Sequence, residues 1–172
     1  MISGSLFFCE GARVSWEVES SDDDNVVRSS GRLIEACNFG NGAVQSPSIN
    51  GVRFTPIDFT SSESPAHLLG LNYNTGEGGK RAGTGINELF DTIAYRSGVD
   101  PQTANLTGLV TGQRYQVQFF YYHNSVNRSL TIRDELGGEV ILNETGVPLV
   151  ATGTFIADST VQRPVSYTHL RA

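Results

Sequence analysis

The chain is dominated by short runs of β-branched and aromatic residues, which clusters of Gly, Asn, Asp and Ser separate. Residues 114–123 and 149–156 form the clearest of these runs. Apolar residues do not recur at helical spacing over several successive turns. Short strands with turns between them and few helices are typical of antiparallel sheets. The sequence therefore predicts an all-β chain, folded as an antiparallel sandwich or barrel.

Individual elements follow from the same patterns. Residues 14–18 and 33–39 predict the first two strands, and residues 68–73 predict a short strand farther along. The dipeptide Asn50-Gly51 predicts a tight turn, because both residues tolerate the left-handed backbone that hairpin turns need. Residues 134–138 predict a second hairpin turn, between two apolar runs.

One segment has the spacing of a helix. Ile86, Leu89, Phe90 and Ile93 recur as they would on one face of a helix. We therefore expect at most one short helix, near residues 86–95.

The charge and hydropathy of the chain bear on its partners. The 18 acidic and 12 basic residues give a net charge of -6, which disfavours a nucleic acid as partner. No window approaches the ~18 continuous apolar residues of a membrane-spanning helix, so we expect no membrane insertion. Residues 1–10 lack the basic start and long apolar stretch of a signal peptide. We expect residues 1–12 to be a poorly defined segment, and the chain to be an internal piece of a larger protein or to have lost its true start.

The two cysteines, Cys9 and Cys37, leave two alternatives open. They could form a single disulfide. Cys37 lies in an apolar, strand-like run, however, where a buried free thiol is common. Two cysteines make neither a disulfide framework nor the spacing of a metal site.

Four segments, taken in order, resemble a known family. They are the Gly-Xaa-Leu-Ile strand at residues 31–39, the run Ile49-Asn50-Gly51-Val52-Arg53-Phe54, residues 106–120 and residues 153–158. This order resembles the galactose-binding-like jelly-roll modules of secreted and surface proteins of bacteria, over residues 14–163. The most specific part is Leu-Thr-Gly-Leu-Xaa-Xaa-Gly-Gln-Xaa-Tyr before an apolar strand, a run that also occurs in fibronectin type III domains. The resemblance implies an antiparallel two-sheet β-sandwich, a jelly roll, with residues 13–163 as the domain.

The resemblance also implies a class of function. Modules of this kind often bind carbohydrate and rarely catalyse a reaction. We therefore expect a non-catalytic carbohydrate-binding module within a larger multidomain protein, extracellular or on the cell surface, with a polysaccharide or glycan as partner. A structural or adhesive spacer domain is the alternative, because no binding motif can be matched position by position. A glycoside hydrolase or lyase is a third hypothesis, since its catalytic carboxylates can lie far apart in the sequence and come together only in the fold.

The last residues depart from the family pattern. Val165-Ser166-Tyr167-Thr168-His169-Leu170-Arg171-Ala172 resembles translated sequencing-adapter DNA. We therefore expect residues 164–172 to be a non-native tail and the domain to lack its final strand. No residue of the tail enters the site predictions.

The strand at 115–122 carries the main candidate site. Because side chains alternate along a strand, Tyr115, Val117, Phe119 and Tyr121 share one face, which is core by composition. The opposite face carries Gln116, Gln118, Phe120 and Tyr122. Aromatic rings stack on sugars and amides bond their hydroxyls, so we predict these four as ligand-binding residues. The alternative is that this face lies under a loop or a neighbouring strand, with the glutamines satisfied locally.

The loop that follows this strand adds three candidates. His123, Asn124 and Arg128 lie there, and binding groups often lie on loops that end strands. A lone histidine is more often an ordinary loop residue than a ligand or catalyst.

An acidic turn near the N-terminus suggests a metal. Asp22 and Asp24 are candidate ligands of a structural calcium ion, which takes oxygen ligands. A solvated turn is the alternative, because consecutive residues of an extended chain point in opposite directions. We expect no other cofactor.

Overall fold

The computed structural model describes residues 11–40, 46–58, 74–76, 83–90, 93–95, 102–124 and 128–171. Two short 3-10 segments, Asp24–Val26 and Gly85–Phe90, are the helical parts of these ranges. The strands are β1 (Ser15–Ser20), β2 (Cys37–Gly40), β3 (Ser48–Ile49), β4 (Val52–Arg53), β5 (Thr55–Asp58), β6 (Asn74–Gly76), β7 (Ile93–Tyr95), β8 (Gln102–Leu106), β9 (Arg114–Tyr121), β10 (Arg128–Arg133), β11 (Glu139–Leu142), β12 (Leu149–Ile156) and β13 (Gln162–Arg171). The prediction of an all-β chain is confirmed.

A three-stranded antiparallel sheet has the order β1-β12-β9. Trp16, Gly153 and Val117 lie side by side across it. A Cβ atom at Gly153 would overlap the Trp16 ring and the Val14 side chain. The middle strand therefore has a glycine because the indole needs the space that a side chain would occupy.

A four-stranded antiparallel sheet has the order β11-β10-β13-β8. The predicted hairpin at 134–138 is confirmed: it joins β10 to β11, and Asp134 N donates to Gly138 O at 2.8 Å. Residues 164–171 belong to β13, which pairs with β10 on one side and β8 on the other. The structure thus has a strand over residues for which the sequence predicts a non-native tail, and both the tail and the missing final strand stay predictions.

Three small strand pairs complete the described sheets: β2 with β5, β3 with β4, and β6 with β7. The Asn50-Gly51 turn joins β3 to β4, with φ of 47° at Asn50 and 77° at Gly51. Positive φ at both central residues is the requirement that made this dipeptide predict a hairpin. β2 and β5 pair in parallel, unlike the antiparallel pairs elsewhere in the described sheets.

The two larger sheets share a hydrophobic cluster. From the three-stranded sheet and its edges come Trp16, Phe119, Tyr121, Leu149 and Ala151; from the four-stranded sheet come Leu130, Ile132, Val140 and Leu142. Ile132 and Leu142 are fully buried in it. Tyr115 and Val117 pack in a neighbouring cluster around Phe155. The core face predicted for the strand at 115–122 is thus confirmed, while the jelly-roll sandwich topology stays a prediction.

The other face of the three-stranded sheet is partly covered by a layer of irregular structure. We call residues 24–28, 46–54 and 85–90 the cover layer. Its buried side chains are Val26, Val27, Ile49, Val52, Phe54, Ile86, Leu89 and Phe90, and they pack with Val150, Phe120 and Tyr122 of the sheet side. Both faces of the sheet therefore bury apolar side chains, and only part of the outer face remains open.

Two sequence expectations differ from the structure in extent. The helix predicted near 86–95 is the 3-10 helix Gly85–Phe90, whereas Ile93–Tyr95 is a strand. The strand predicted at 33–39 begins only at Cys37, and Leu33 and Ile34 are exposed. Burial explains both outcomes, because Ile86, Leu89 and Phe90 enter a core and Leu33 and Ile34 do not. The strand predicted at 68–73 lies outside the described residues.

The entry segment, residues 11–14, is held by side chains from two distant places in the chain: Asp134 after β10, and Asp158 and Gln162 at the connection from β12 to β13. Its backbone N–H groups donate from Gly11 to Asp158 Oδ2 (2.6 Å), from Ala12 to Gln162 Oε1 (3.0 Å) and from Val14 to Asp134 Oδ2 (2.8 Å). Ala12 and Val14 are buried in the cluster around Phe155. The packed unit therefore includes residues 11 and 12, which the sequence placed in a poorly defined segment.

Cys37 carries a free thiol, and Cys9 lies outside the described residues. Burial, and to a smaller extent the nearby Glu35 side chain, together raise the pKa of the Cys37 thiol to about 12. The thiol is therefore protonated and weakly nucleophilic at neutral pH. In the part of the chain that the structure describes, no helix is long and apolar enough to cross a membrane.

Candidate functional site

The outer face of the three-stranded sheet contains the predicted glutamine and aromatic residues, arranged in rows across the strands. One row is Ser15, Thr154 and Gln116; the next is Glu17, Thr152 and Gln118; the third is Glu19, Val150 and Phe120. Side chains directly opposite on one face lie about 4.5–5.5 Å apart at Cβ, so each row is a set of neighbours. The face changes along the strands from polar to apolar.

Gln118 is committed to internal hydrogen bonds. Its Oε1 accepts from Arg28 N at 2.9 Å, and its Nε2 donates to Val26 O at 3.0 Å and Thr152 Oγ1 at 3.1 Å. These bonds attach the cover layer to the sheet. Gln118 thus fits the alternative interpretation, in which a loop covers the face and the glutamine is satisfied locally.

Phe120 and Tyr122 pack against the cover layer. The Phe120 ring meets Phe54 edge to face, with centroids 5.9 Å apart, and Tyr122 lies 5.8 Å from Phe90. Such tilted aromatic pairs stabilise a core beyond the area that they bury. The two rings therefore hold the layer in place and do not form an open stacking platform for a sugar.

Gln116 differs from the other three, because it is exposed at the uncovered end of the face. Beside it lie Thr154 and then Ser15, with Glu17 in the adjoining row; Ser15 and Glu17 are exposed and Thr154 is half-buried. We call these four residues the polar ledge. It combines an amide, two hydroxyls and a carboxylate on a rigid sheet.

The surroundings give the polar ledge two borders. On one side the backbone of Val26 to Arg28 crosses the sheet, fixed there by Gln118. On the other side Ile156, 56 % exposed, follows Thr154 on the same face, opposite Arg114. The ledge thus lies between a backbone wall and an exposed apolar side chain.

One ion pair lies near the wall. Arg28 Nη2 lies 3.3 Å from Glu19 Oε1, and both side chains are nearly half exposed. Exposed pairs of this kind contribute about 0.2–1 kcal/mol to stability, so the pair orients Arg28 more than it stabilises the fold.

The loop candidates lie away from the polar ledge, at the opposite end of β9. His123 is buried, and its carbonyl oxygen accepts from Gly146 N at 2.7 Å, which ties two loops together. Asn124 is exposed beside it. Arg128 begins β10, and its side chain lies outside what the structure describes. The structure therefore does not bring these residues together with Gln116.

The acidic turn organises the cover layer. Asp23 caps the 3-10 turn by accepting from Asn25 N at 2.9 Å. Asp24 Oδ1 accepts from Ile86 N at 2.7 Å and so links this turn to the helix Gly85–Phe90. Asp22 is exposed. Among the residues that the structure describes, no group of three or more His, Cys, Asp or Glu could hold a metal ion, so the calcium site stays a prediction without a ligand set.

Sequence reasoning missed three members of the polar ledge. Ser15 and Glu17 are ordinary polar residues of β1, and Thr154 lies within an apolar run. They become a site only through the pairing of β1 with β12 and of β12 with β9. The alternation of each strand assigns them to a face, but no single-strand pattern gives the order of the strands.

Comparison of the chain with protein-family models, with curated proteins and with solved structures gives no match.

Proposed function

We propose that this protein is a non-catalytic carbohydrate-binding module of a larger extracellular protein, and that the polar ledge is its contact surface. The observation that carries the proposal is the row Ser15, Thr154 and Gln116 on the open end of the outer face, with Glu17 beside it. Hydroxyl, amide and carboxylate groups are the partners that sugar hydroxyls need. The exposed Ile156 supplies apolar contact for the C–H face of a sugar ring.

The geometry sets the expected strength of binding. The ledge is shallow and faces water, so its hydrogen bonds replace bonds to solvent and each contributes only about 0.5–1.5 kcal/mol. A net binding free energy of about 4 kcal/mol corresponds to a dissociation constant of about a millimolar, and a few such bonds do not exceed it once the cost of association is counted, so we expect one short glycan to bind at about a millimolar or more weakly. Repeated modules in one chain would raise the apparent affinity.

The test is a screen on a glycan array and on insoluble polysaccharides, followed by titration of the best ligand. The double variant Glu17→Ala, Gln116→Ala removes two groups of the ledge, and Gln113→Ala is the matched control in an exposed turn nearby. We expect the double variant to lose about tenfold in affinity, which corresponds to about 1.4 kcal/mol, and the control to bind as the wild type does. Equal affinity in the double variant and the wild type would remove the ledge from the proposal.

A second candidate function is a structural or adhesive spacer domain. It is favoured by the commitment of Gln118, Phe120 and Tyr122 to internal packing, which leaves only one of the four predicted face residues open. A folded wild-type protein that binds no glycan in the screen would support this candidate against the first.

A further inference from the structure

The outer face of the three-stranded sheet has one more row beyond the polar ledge. In this row Ile156 of β12 lies opposite Arg114 of β9, and both side chains are exposed. The pairing of these strands continues past them, because Ala157 N donates to Gln113 O at 2.9 Å. The backbone that carries Arg114 and Ile156 is therefore held in register at this end of the sheet.

Arg13 lies on the other side of Ile156. The register of β1 on β12, continued two residues beyond its first pair, puts Arg13 opposite Ile156. The register still holds at Gly11, whose N–H donates to Asp158 Oδ2 at 2.6 Å. Arg13 is exposed and both its neighbours in the chain are buried, so its side chain points to the outer face. We call Arg13, Ile156 and Arg114 the arginine row.

The charges of the arginine row are not used inside the fold. Neither arginine forms an ion pair with a residue that the structure describes. Asp158 follows Ile156 on the same face, but its carboxylate already accepts from Gly11 N and from the side-chain amide of Gln162. Glu17 of the ledge lies two rows away, about 13 Å along the strand. The outer face therefore changes from positive at the arginine row to negative at Glu17.

The spacing of these groups suits a sugar that carries an acidic group. Neighbouring strands lie about 4.8 Å apart, so the backbones of Arg13 and Arg114 are about 10 Å apart, with the exposed Ile156 between them. The next row of the ledge is about 7 Å away along the strands. A sugar ring over Ile156 thus has a guanidinium group on each side, and the hydroxyl of Thr154 and amide of Gln116 ahead of it. The guanidinium fork binds carboxylates and tetrahedral oxyanions through paired hydrogen bonds.

We propose that the arginine row and the polar ledge together bind an acidic saccharide, with its carboxylate or sulfate group on the arginine row and its hydroxyls on the ledge. This inference rests on the proposed function and adds the class of ligand to it. Glu17 orients the ligand, because it repels an acidic group from the far end of the ledge.

The net charge of -6 is compatible with such a ligand. A short acidic saccharide carries only a few charges, which two arginines can meet locally. Double-stranded DNA carries one charge about every 1.7 Å, and the same two arginines would neutralise only a small part of it.

The test is titration followed by NMR chemical shifts at about 0.1 M ionic strength, where the Debye length is about 10 Å. The ligands are the dimers of galacturonate and of mannuronate, each compared with its methyl ester, which is the same sugar without the charge. A sulfated carrageenan disaccharide and its desulfated form distinguish a sulfate from a carboxylate. Inorganic tripolyphosphate is the anion without a sugar.

The variants are Arg13→Gln and Arg114→Gln, singly and together. The matched control is the double variant Arg53→Gln, Arg133→Gln, which removes the same charge from two exposed arginines outside the row. Circular dichroism checks the fold of each variant. Because the four arginines are exposed, we expect all these variants to fold and to bind the methyl esters as the wild type does.

We expect at least one acidic ligand to bind the wild type about tenfold more tightly than its uncharged form, which corresponds to about 1.4 kcal/mol. Each exposed ion pair contributes about half of this preference, so each single variant should keep a preference of about threefold. The double variant should bind both forms equally, and the control should keep the full preference.

Three results would overturn the inference and leave the proposed function standing. They are equal affinity of the wild type for charged and uncharged saccharides, a preference that survives in the double variant Arg13→Gln, Arg114→Gln, and binding of tripolyphosphate as tight as that of the acidic saccharides. If none of the saccharides binds and the wider glycan screen is also negative, the proposed function and this inference fall together.

Discussion

Asp134 holds the two larger sheets together at one point, and its replacement gives the sharpest test of the structure. Its Oδ1 accepts from Leu136 N (3.0 Å) and Gly138 N (2.7 Å) within the β10–β11 turn. Its Oδ2 accepts from Val14 N at 2.8 Å, in the segment that leads into β1. Asp134 and Val14 are both buried, so water is a poor substitute for either group.

In Asp134→Asn the amide oxygen can keep the two bonds within the turn, but the amide NH₂ then faces the N–H of Val14. One buried donor loses its acceptor, at about 1–3 kcal/mol, and the remaining bonds lose the strengthening that a charged acceptor gives. We expect the free energy of unfolding to fall by about 3 kcal/mol, which for a domain of this size lowers Tm by about 10 °C.

Urea unfolding at neutral pH, followed by circular dichroism, measures this change, and a thermal melt provides the second value. Glu135→Gln is the matched control, since Glu135 is an exposed acid of the same turn, and it should stay within about 0.5 kcal/mol of the wild type. If Asp134→Asn is as stable as that control, the bond to Val14 does not hold the two sheets together.

Four further predictions address other parts of the molecule. Gly85→Ala should destabilise the fold by about 1–3 kcal/mol in urea unfolding, because φ there is +64° and a Cβ would overlap the Asp24 carboxylate. Phe120→Ala should cost about 3 kcal/mol in the same assay, since the ring packs in the core under the cover layer; an unchanged midpoint would mean that the face is open after all. The Cys37 thiol should resist alkylation at pH 8 until the protein is unfolded. Because its pKa is raised from 9.0 to about 12 in the folded state, the free energy of unfolding should fall as the pH rises from about 9 to 12. Deleting residues 164–172 should abolish the cooperative melt, because it removes most of a strand paired on both sides; a deletion variant that melts like the full chain would instead support a dispensable tail.

Local sequence patterns predicted the elements whose causes are local. The alternation in 115–122 separated core from outer face, and Asn50-Gly51 and residues 134–138 predicted turns that the structure contains. Backbone preference and side-chain alternation act over a few residues, so a short stretch of sequence is enough to predict such turns and strand faces.

Whether the outer face is covered was harder to predict from the sequence, because the covering segments lie far away in the chain. Gln118 is bonded to residues 90 and 92 positions earlier, and Phe120 meets Phe54 across a long sequence separation. The pattern gave the correct set of residues for the face, but covering is a tertiary property that alternation does not encode. The same holds for the polar ledge, which exists only once three strands lie side by side.

The position of β13 also has a consequence for biosynthesis. β8 and β10 are made before β13, yet β13 lies between them in the sheet. Until it is made, each has one edge that waits for a partner and is open to pairing with another chain. The four-stranded sheet therefore closes only after Gln162–Arg171 has been made, and slow translation of this stretch would lengthen the period in which neighbouring nascent chains can exchange strands.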